Sequence, residues 1–286
     1  MARSKSVASK GARAPRGGVA GIDDDDGRFV NALARGLFIL RVFEDASQAL
    51  ANGELAQRTG LPKATITRLT HTLVALGYLE SLPGEEKFRL GPAVLTLGAT
   101  FLRGNSFPRI VTPYLQRLAN QTGCHVALGV REGIDCVYVQ LWRGAGQTII
   151  LSSGVGLRLP MARTAMGMAL LAAMPEPGRG IVFAEMQASA DSGGAALRRW
   201  RQRCAEEIAK AGFCVGIGPW RKEINAVAAP LPAFDGSVYA VNISGPAFLL
   251  EEAVLREKTG PLLAEAIEQM RRLGIVAPET PGPGEN

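Results

Sequence analysis

The sequence predicts an α+β protein in which a winged helix-turn-helix unit precedes a larger domain of alternating strands and helices. Three observations predict this class. Two short amphipathic segments meet at a tight turn around Gly60 and Pro62. The segment 77–90, which has turn-forming residues at its centre, reads as a hairpin. Beyond residue 104, β-branched runs alternate with runs of helical periodicity.

The second helix of the motif is the predicted DNA-reading element. The first helix ends at Gly60, which can adopt the left-handed conformation of a helix end, and Pro62 suits a first helical turn because it lacks an amide hydrogen. The second helix is expected to bury one apolar stripe, made of Ile66, Leu69, Leu73 and Leu76. Its opposite face presents side chains that reach phosphates and base edges: Lys63, Thr65, Thr67, Arg68 and His71.

A preceding helix and a following wing complete the predicted unit. The segment 30–44 is expected to be the supporting helix, with one apolar face made of Leu33, Leu37, Leu40 and Val42 or Phe43. The runs 77–80 and 88–90 flank the turn-forming run 83–87 and read as the wing. Further DNA contacts are predicted near the motif and on the wing, at Arg35, Pro62, Lys87 and Arg89.

The rest of the chain reads as a linking helix and a mixed domain. Helices are predicted from periodicity at 91–103, 110–122, 162–173, 194–211 and 251–273, the last with Pro261 near its first turns. Strands are predicted from short β-branched and aromatic runs at 126–130, 137–142, 148–151, 227–229 and 238–244. The pattern is that of an α+β domain.

Composition narrows the function classes. The 286 residues carry a net charge of +6 and are 47% hydrophobic and 20% charged, which suits a globular protein with an anionic partner. The four cysteines form no Cys-x-x-Cys pair and there are two histidines, so we expect no metal site and no disulfide framework. We see neither a signal peptide nor an apolar run long enough for a bilayer, and we therefore expect a cytoplasmic protein without a membrane partner.

An enzyme with an accessory DNA-binding domain is the rival from another class. His71 lies on the DNA-facing helix, and the adjacent Cys124 and His125 would point to opposite faces of a strand, so they cannot form a nucleophile–base pair there. No phosphate loop or dinucleotide fingerprint is present. We therefore expect no catalytic residues and no cofactor. A redox-sensing role of the cysteines is a less favoured alternative to their burial as small apolar residues.

Several segments resemble IclR-type bacterial transcriptional regulators. In the winged unit they are 34–37, 55–65, 68–69 and 77–79. In the second domain they are 159–172, 226–231 and 240–246. The resemblance covers roughly residues 28–273 and implies a GAF-like α/β effector-binding domain, which a linker helix with a part in dimer contacts joins to the DNA-binding domain.

The resemblance also implies an effector pocket. Carried over position by position, its lining would include Ala165, Met166, Gly167, Gly216, Ala226, Asn242 and Ser244. The chain is less polar than the family pattern at Ala162, Met168, Gly216 and Ala226. A small keto acid is therefore not the expected ligand.

Two pairs of neighbouring residues could recognise a different acid. Trp220 precedes Arg221, and Trp142 precedes Arg143. An indole can stack on a ring, and an arginine can pair with a carboxylate through two hydrogen bonds. An aromatic or hydrophobic carboxylate would suit both pairs. The alternative is that these tryptophans are core or dimer-contact residues.

The expected protein is a ligand-responsive regulator of a catabolic operon that binds double-stranded operator DNA as a homodimer or homotetramer. A constitutive DNA-binding protein whose C-terminal domain only oligomerises is the other alternative.

The expected organisation is a disordered tail (1–27), a winged helix-turn-helix domain (28–90), a linker helix (91–104), an effector-binding domain (105–275) and a flexible tail (276–286).

Overall fold

The computed structural model describes residues 28–43, 48–144, 154–189 and 194–277. The chain divides into two compact units, Met1–Gly104 and Asn105–Asn286. The strand predicted at 148–151 and the tail predicted at 1–27 lie outside the described residues. Val276 is buried and the Ala277 amide donates a hydrogen bond to the Pro232 carbonyl, so the second unit extends at least to residue 277.

The first unit, hereafter the DNA unit, is a helix-turn-helix with a small antiparallel sheet. Its helices are α1 (Asn31–Arg41), α2 (Asn52–Thr59), α3 (Lys63–Ala75) and α4 (Pro92–Gly104). Its strands are β1 (Leu50–Ala51), β2 (Leu79–Ser81) and β3 (Lys87–Leu90), in the order β1-β3-β2. Strands β2 and β3 form the predicted wing, and β1 is an additional short strand that pairs with β3.

The turn of the helix-turn-helix follows the expected chemistry. Helix α2 ends at Gly60, whose φ of 71° is left-handed. At the start of α2, the Glu54 carboxylate accepts a hydrogen bond from the Ala51 amide at 2.8 Å, which satisfies one of the amides that a helix start leaves free. Pro62 directly precedes α3, and its carbonyl accepts from the Ile66 amide at 3.0 Å.

The predicted apolar face of α1 is only partly correct. Leu33 and Leu37 are 61% and 51% exposed, whereas Leu40, Val42 and Phe43 pack in or against the core as predicted, and Ile39 joins them. Gly36 lies close to Leu69 of α3, because a Cβ added there would be 4.0 Å from the Leu69 Cδ2. This face of α1, with Gly36 and Ile39, therefore packs toward α3, and the two leucines remain in solvent.

The predicted stripe of α3 is correct except at its end. Ile66 and Leu73 are buried and Leu69 is half-buried, but Leu76 is exposed. Leu76 is the residue at which the helix ends. Thr70 is buried instead, and its hydroxyl donates to the Ile66 carbonyl at 2.9 Å.

The second unit, hereafter the effector unit, has a six-stranded antiparallel sheet in the order β6-β5-β4-β9-β8-β7. The strands are β4 (His125–Glu132), β5 (Asp135–Arg143), β6 (Arg158–Pro160), β7 (Cys214–Ile217), β8 (Ile224–Pro232) and β9 (Val238–Pro246). The helices are α5 (Phe107–Thr122), α6 (Ala165–Ala173), α7 (Gly178–Ala188), α8 (Gly194–Ala211), α9 (Glu252–Val254) and α10 (Gly260–Arg272).

The core of the effector unit lies between the sheet and α6. All residues of α6 from Ala165 to Leu171 are buried, so the helix is apolar on every side. A single turn of 3-10 helix, Met161–Arg163, precedes it, and the helix predicted from residue 162 therefore begins at Ala165. The predicted closing helix contains a π-helical turn, Leu255–Thr259, so Pro261 lies at its middle, at the start of α10.

Candidate DNA interface and ligand cavity

The face of α3 opposite its apolar stripe is exposed, as the sequence predicts. Lys63, Thr67, Arg68 and His71 are exposed together with Pro62 at the helix start, whereas Thr65 is half-buried. The Thr67 hydroxyl donates to the Lys63 carbonyl at 3.0 Å, so the donor of this hydroxyl is engaged within the helix. The positive charge of this face comes from the exposed side chains of Arg68 and Lys63.

The wing places its two predicted DNA contacts beside carboxylates. Arg89 forms an ion pair with Glu80 on the neighbouring strand at 2.7 Å, and Lys87 forms one with Glu85 of the turn at 3.0 Å. All four side chains are substantially exposed, so the pairs contribute little to stability. Their carboxylates reduce the positive charge that the wing offers to a phosphate backbone.

Arg35 is placed differently from the other predicted DNA contacts. It lies on α1 and is half-buried. Its Nε is buried without a hydrogen-bond partner among the residues that the structure describes.

A cavity of about 70 Å³ opens in the effector unit beside the start of α6. It is bounded by the strands β5, β6, β7, β8 and β9, by the 3-10 turn and by the loop after β7. Its lining is mostly apolar and consists of Tyr138, Leu157, Leu159, Arg163, Thr164, Ala165, Met166, Gly216, Pro219, Trp220, Arg221, Ile224, Ala226, Asn242 and Ser244.

The cavity brings together every predicted effector-binding residue except Gly167. Gly167 lies against the backbone of the 3-10 turn, where an added Cβ would be 2.2 Å from the Met161 Cα. Sequence reasoning missed several lining residues, among them Tyr138, Thr164 and Ile224. Of these, Thr164 had a recognisable signal, because threonine favours the position before a helix.

Small residues occupy three paired positions on neighbouring strands at the cavity wall. Gly216 of β7 pairs with Ala226 of β8, which pairs with Ser244 of β9. These three adjacent positions face α6, where a Cβ on Gly216 would meet the Ala165 Cβ at 3.3 Å. A side chain at Gly216 would therefore press on the start of α6, and the small residues at these positions form one wall of the cavity.

A buried polar cluster of Tyr138, Asn242 and Ser244 lies in the cavity wall. The Asn242 Nδ2 donates to the Tyr138 hydroxyl at 3.1 Å, across the intervening strand β4. Burial raises the pKa of Tyr138, and its hydrogen bonds with Asn242 and Ser244 oppose this only in part. The phenol is therefore neutral at physiological pH. The Asn242 Oδ1 is buried and has no hydrogen-bond partner among the described residues.

The solvent side of the cavity is cationic. Arg163 and Arg221 both line it and are exposed. The Arg163 Nε and Nη2 donate to the carbonyls of Pro219 and Trp220, each at 3.2 Å, which holds the loop after β7 in place. The Arg221 guanidinium carbon lies 4.4 Å from the centroid of the Trp220 ring, a cation–π contact.

The start of α6 is capped by a side chain at the cavity wall. The Thr164 hydroxyl accepts a hydrogen bond from the Gly167 amide at 3.1 Å and donates to the Pro160 carbonyl at 3.1 Å. The first residues of the helix, Ala165 and Met166, line the cavity. A helix start carries partial positive charge, so this wall is favourable for an anion.

The second predicted aromatic–cation pair lies elsewhere. Trp142 is buried and does not line the cavity, so its predicted part in ligand recognition is not supported by the geometry.

The cysteines are all buried. Burial raises the pKa of Cys136 to about 12, and a hydrogen bond with Cys204 together with burial raises that of Cys214. Such thiols rarely ionise, which disfavours the redox-sensing alternative.

Two features are absent from the described ranges of the chain. No helix there combines the length and the apolar character needed to cross a bilayer. No cluster of three or more His, Cys, Asp or Glu side chains there is placed to hold a metal ion.

Family models match both units. The model of the IclR helix-turn-helix domain matches residues 32–83. The model of the C-terminal domain of bacterial IclR transcriptional regulators matches residues 101–272, more than half of the chain. The chain belongs to the IclR family. It is a DNA-binding transcriptional regulator with an effector-binding C-terminal domain, in a family that is not enzymatic.

Relatives of known structure and name align over most of the chain. The crystal structure of an IclR-family regulator from Brucella abortus is 34% identical, with a TM-score of 0.79, and the alignment covers 88% of this chain and 95% of that one. TsaQ1/TsaQ2 of Comamonas testosteroni is 29% identical, with coverage of 85% and 87%. The Pca regulon regulatory protein of Pseudomonas putida is also 29% identical, with coverage of 84% and 83%.

Another solved structure shares the fold at lower identity. It is an IclR homologue from Microbacterium hydrocarbonoxydans in complex with 4-hydroxybenzoate. Its identity is 24% and its TM-score is 0.62, and the alignment covers 85% of this chain and 97% of that one.

Proposed function

We propose that this IclR-family protein is a cytoplasmic, ligand-responsive regulator of a catabolic operon. Helix α3 reads an operator half-site, and the effector-unit cavity binds a small hydrophobic or aromatic carboxylate. The observation that carries the proposal is the cavity itself: an apolar enclosure with a buried polar cluster at its wall and two arginines on its solvent side. Binding sites for small molecules have this composition.

The DNA-reading part of the proposal rests on the exposed face of α3. Recognition helices insert their first half into the major groove, and Arg68 lies in the first half of α3 with its side chain exposed. An arginine can contact two acceptors of a guanine at once. We therefore assign Arg68 to a base edge and Lys63 to the backbone.

The variant Arg68→Ala tests this assignment. It should weaken binding to the operator by about 1–3 kcal/mol while changing non-specific binding less, because a base contact distinguishes sequences and a phosphate contact does not. Fluorescence anisotropy with DNA from the protein's own promoter region measures both affinities at several salt concentrations.

Arg199→Ala is the matched control for that experiment. Arg199 is an exposed residue of α8 in the effector unit, so its loss changes the net charge equally without touching α3. Unchanged operator affinity in Arg68→Ala would rule out the assignment of α3 as the reading helix. Equal losses in the two variants would show that net charge alone explains the effect.

The ligand class follows from the cavity. Leu157, Leu159, Met166 and Ile224 offer an apolar surface, Trp220 offers a ring, and Arg163 and Arg221 offer positive charge. A carboxylate attached to an apolar or aromatic body matches all three features. The same fold holds 4-hydroxybenzoate in the Microbacterium homologue, which makes aromatic acids a rational first set of probes.

Thermal unfolding in the presence of small acids measures ligand binding. A ligand at one hundred times its dissociation constant stabilises a protein by about 2.7 kcal/mol. We expect hydrophobic and aromatic acids to raise the melting temperature more than pyruvate or glyoxylate do. Stabilisation by the keto acids alone would refute the ligand class, and no stabilisation by any acid would favour a constitutive regulator.

We also propose that the protein acts as a homodimer or homotetramer on an inverted-repeat operator. A single winged helix buries too little surface for tight, selective binding. The DNA unit leaves apolar side chains exposed on two helices, namely Leu33 and Leu37 of α1 and Leu95, Leu97 and Phe101 of α4. Light scattering at micromolar concentration is the check, and a monomer that still binds the operator tightly would contradict the proposal.

A further inference from the structure

A second hollow of the effector unit is the groove between α5 and α10. Its volume is about 120 Å³, against about 70 Å³ for the effector-unit cavity. A single water needs only roughly 10–15 Å³ of such space. The groove shares no lining residue with the cavity. It therefore offers room for a small molecule at a second, separate place.

Helical spacing brings polar side chains of both helices to this groove. On α5, Tyr114, Arg117 and Gln121 follow each other at intervals of three and four residues, so they share one face. On α10, Glu265 and Gln269 are four residues apart and also share a face. A cation, an anion, a phenol and two amides thus line the same groove.

The two charges of the groove do not neutralise each other. Within the part of the chain that the structure describes, neither Arg117 nor Glu265 forms an ion pair or a side-chain hydrogen bond. The end of α10 differs, because Glu268 pairs there with Arg271 at 2.7 Å and with Arg272 at 3.0 Å. A cation and an anion that line one groove without pairing suit a molecule that carries both charges.

The rest of the lining suits a small organic molecule. Leu118 is buried and Leu262 is half-buried, and both give the groove an apolar surface. The side chains of Tyr114, Gln121 and Gln269 form no hydrogen bond within the described ranges. A phenol and two amides can each donate and accept, so they can bond to the polar groups of a ligand.

We propose that the groove between α5 and α10 binds a free amino acid. Its carboxylate accepts two parallel hydrogen bonds from the Arg117 guanidinium, its ammonium group donates to the Glu265 carboxylate, and its side chain packs on Leu118 and Leu262. A plain acid would leave Glu265 without a partner, and a plain amine would leave Arg117 without one. This site is additional to the acid-binding cavity and does not depend on it.

Isothermal titration calorimetry on the full-length protein tests the proposal, with each of the standard L-amino acids as probe. Each amino acid that binds is compared with the two analogues that lack one of its charges. For L-leucine these are 4-methylpentanoate, which lacks the ammonium group, and 3-methylbutan-1-amine, which lacks the carboxylate. At least one amino acid should bind about tenfold more tightly than both of its analogues, as a hydrogen bond to a charged group allows.

Two variants should change this selectivity in opposite directions. In Arg117→Gln, the amine should bind as tightly as the amino acid, because the carboxylate has lost its partner. In Glu265→Gln, the deaminated acid should do so instead. A purely structural role would weaken all three compounds alike. Arg109→Gln is the matched control, since Arg109 is an exposed residue of α5 outside the groove, and it should keep the selectivity of the wild type.

The groove side chains Arg117 and Glu265 are exposed, so both variants should fold, and melting monitored by tryptophan fluorescence checks this. The proposal is overturned if no amino acid binds at millimolar concentration, or if selectivity is unchanged in both variants. Equal weakening of all three compounds, with a change in molar mass by light scattering, would identify the groove as a contact between copies of the chain and would also overturn it. None of these outcomes affects the proposed acid sensing, which depends on the cavity.

Discussion

The DNA unit and the effector unit carry their candidate functional side chains in opposite ways. In the DNA unit, Lys63, Arg68 and His71 stand exposed on one helix. In the effector unit, Tyr138, Asn242 and Ser244 are buried and come from strands that are distant in sequence. An exposed face needs only a stable helix beneath it, whereas a buried polar cluster needs the register of a whole sheet.

In each unit, one glycine lies so close to the backbone of another segment that a larger side chain would not fit there. A Cβ on Gly91 would lie 2.2 Å from the Gly77 carbonyl oxygen in the DNA unit. A Cβ on Gly167 would lie 2.2 Å from the Met161 Cα in the effector unit. In both places a backbone atom is in the way, and it cannot rotate aside as a flexible side chain can.

The largest expected effect therefore comes from alanine at these glycines. Gly167→Ala and Gly91→Ala should each destabilise their own unit by about 2–4 kcal/mol, because the clash forces a backbone shift. All three tryptophans, Trp142, Trp200 and Trp220, lie in the effector unit. Tryptophan fluorescence thus reports the melting of that unit, and circular dichroism reports both.

The two variants should separate in this measurement. Gly167→Ala should lower the fluorescence transition, and Gly91→Ala should leave it in place while it lowers a circular-dichroism transition. Gly98→Ala is the control, since Gly98 lies inside α4 with no atom within 4 Å of an added Cβ and should stabilise by about 0.5–1 kcal/mol. An equal shift of the fluorescence transition by Gly91→Ala would show that the two units unfold together.

A smaller effect is expected from the wing. Glu80→Gln removes the partner of Arg89 and should change the free energy of unfolding by less than about 1 kcal/mol, because the pair is exposed. It should strengthen DNA binding at low salt, since one carboxylate is lost and one arginine is released, and added salt should erase the gain. Weaker DNA binding would mean that the ion pair holds Arg89 in its binding position.

The DNA unit was the more predictable of the two from the sequence. Gly60 and Pro62 mark the turn by local backbone chemistry, and the structure confirms both helices and the wing. Only the first half of the α1 face was mispredicted, since Leu33 and Leu37 are exposed and Ile39 is buried. Which of these side chains is buried depends on how α1 packs against the other helices of the unit, and such contacts are not local.

The effector unit was predictable in outline only. The bounds of α8 agree with the prediction, but the short strands β6 and β7 and helix α7 were missed. The polar cluster could not be inferred, since Tyr138 and Asn242 are 104 residues apart and meet only through the strand order. The family resemblance supplied six of the fifteen lining residues, which periodicity alone could not do.

We expect a ligand in the effector unit to change DNA binding by the DNA unit. The direct measurement is the operator affinity of the full-length protein with and without a saturating acid that stabilises it. We expect a change of at least about fivefold, the lower end of typical coupling between sites. In Ser244→Phe, whose side chain should fill the cavity, we expect operator affinity like that of the unliganded wild type and no response to the acid. The same operator affinity for the wild type in both conditions would contradict this expectation.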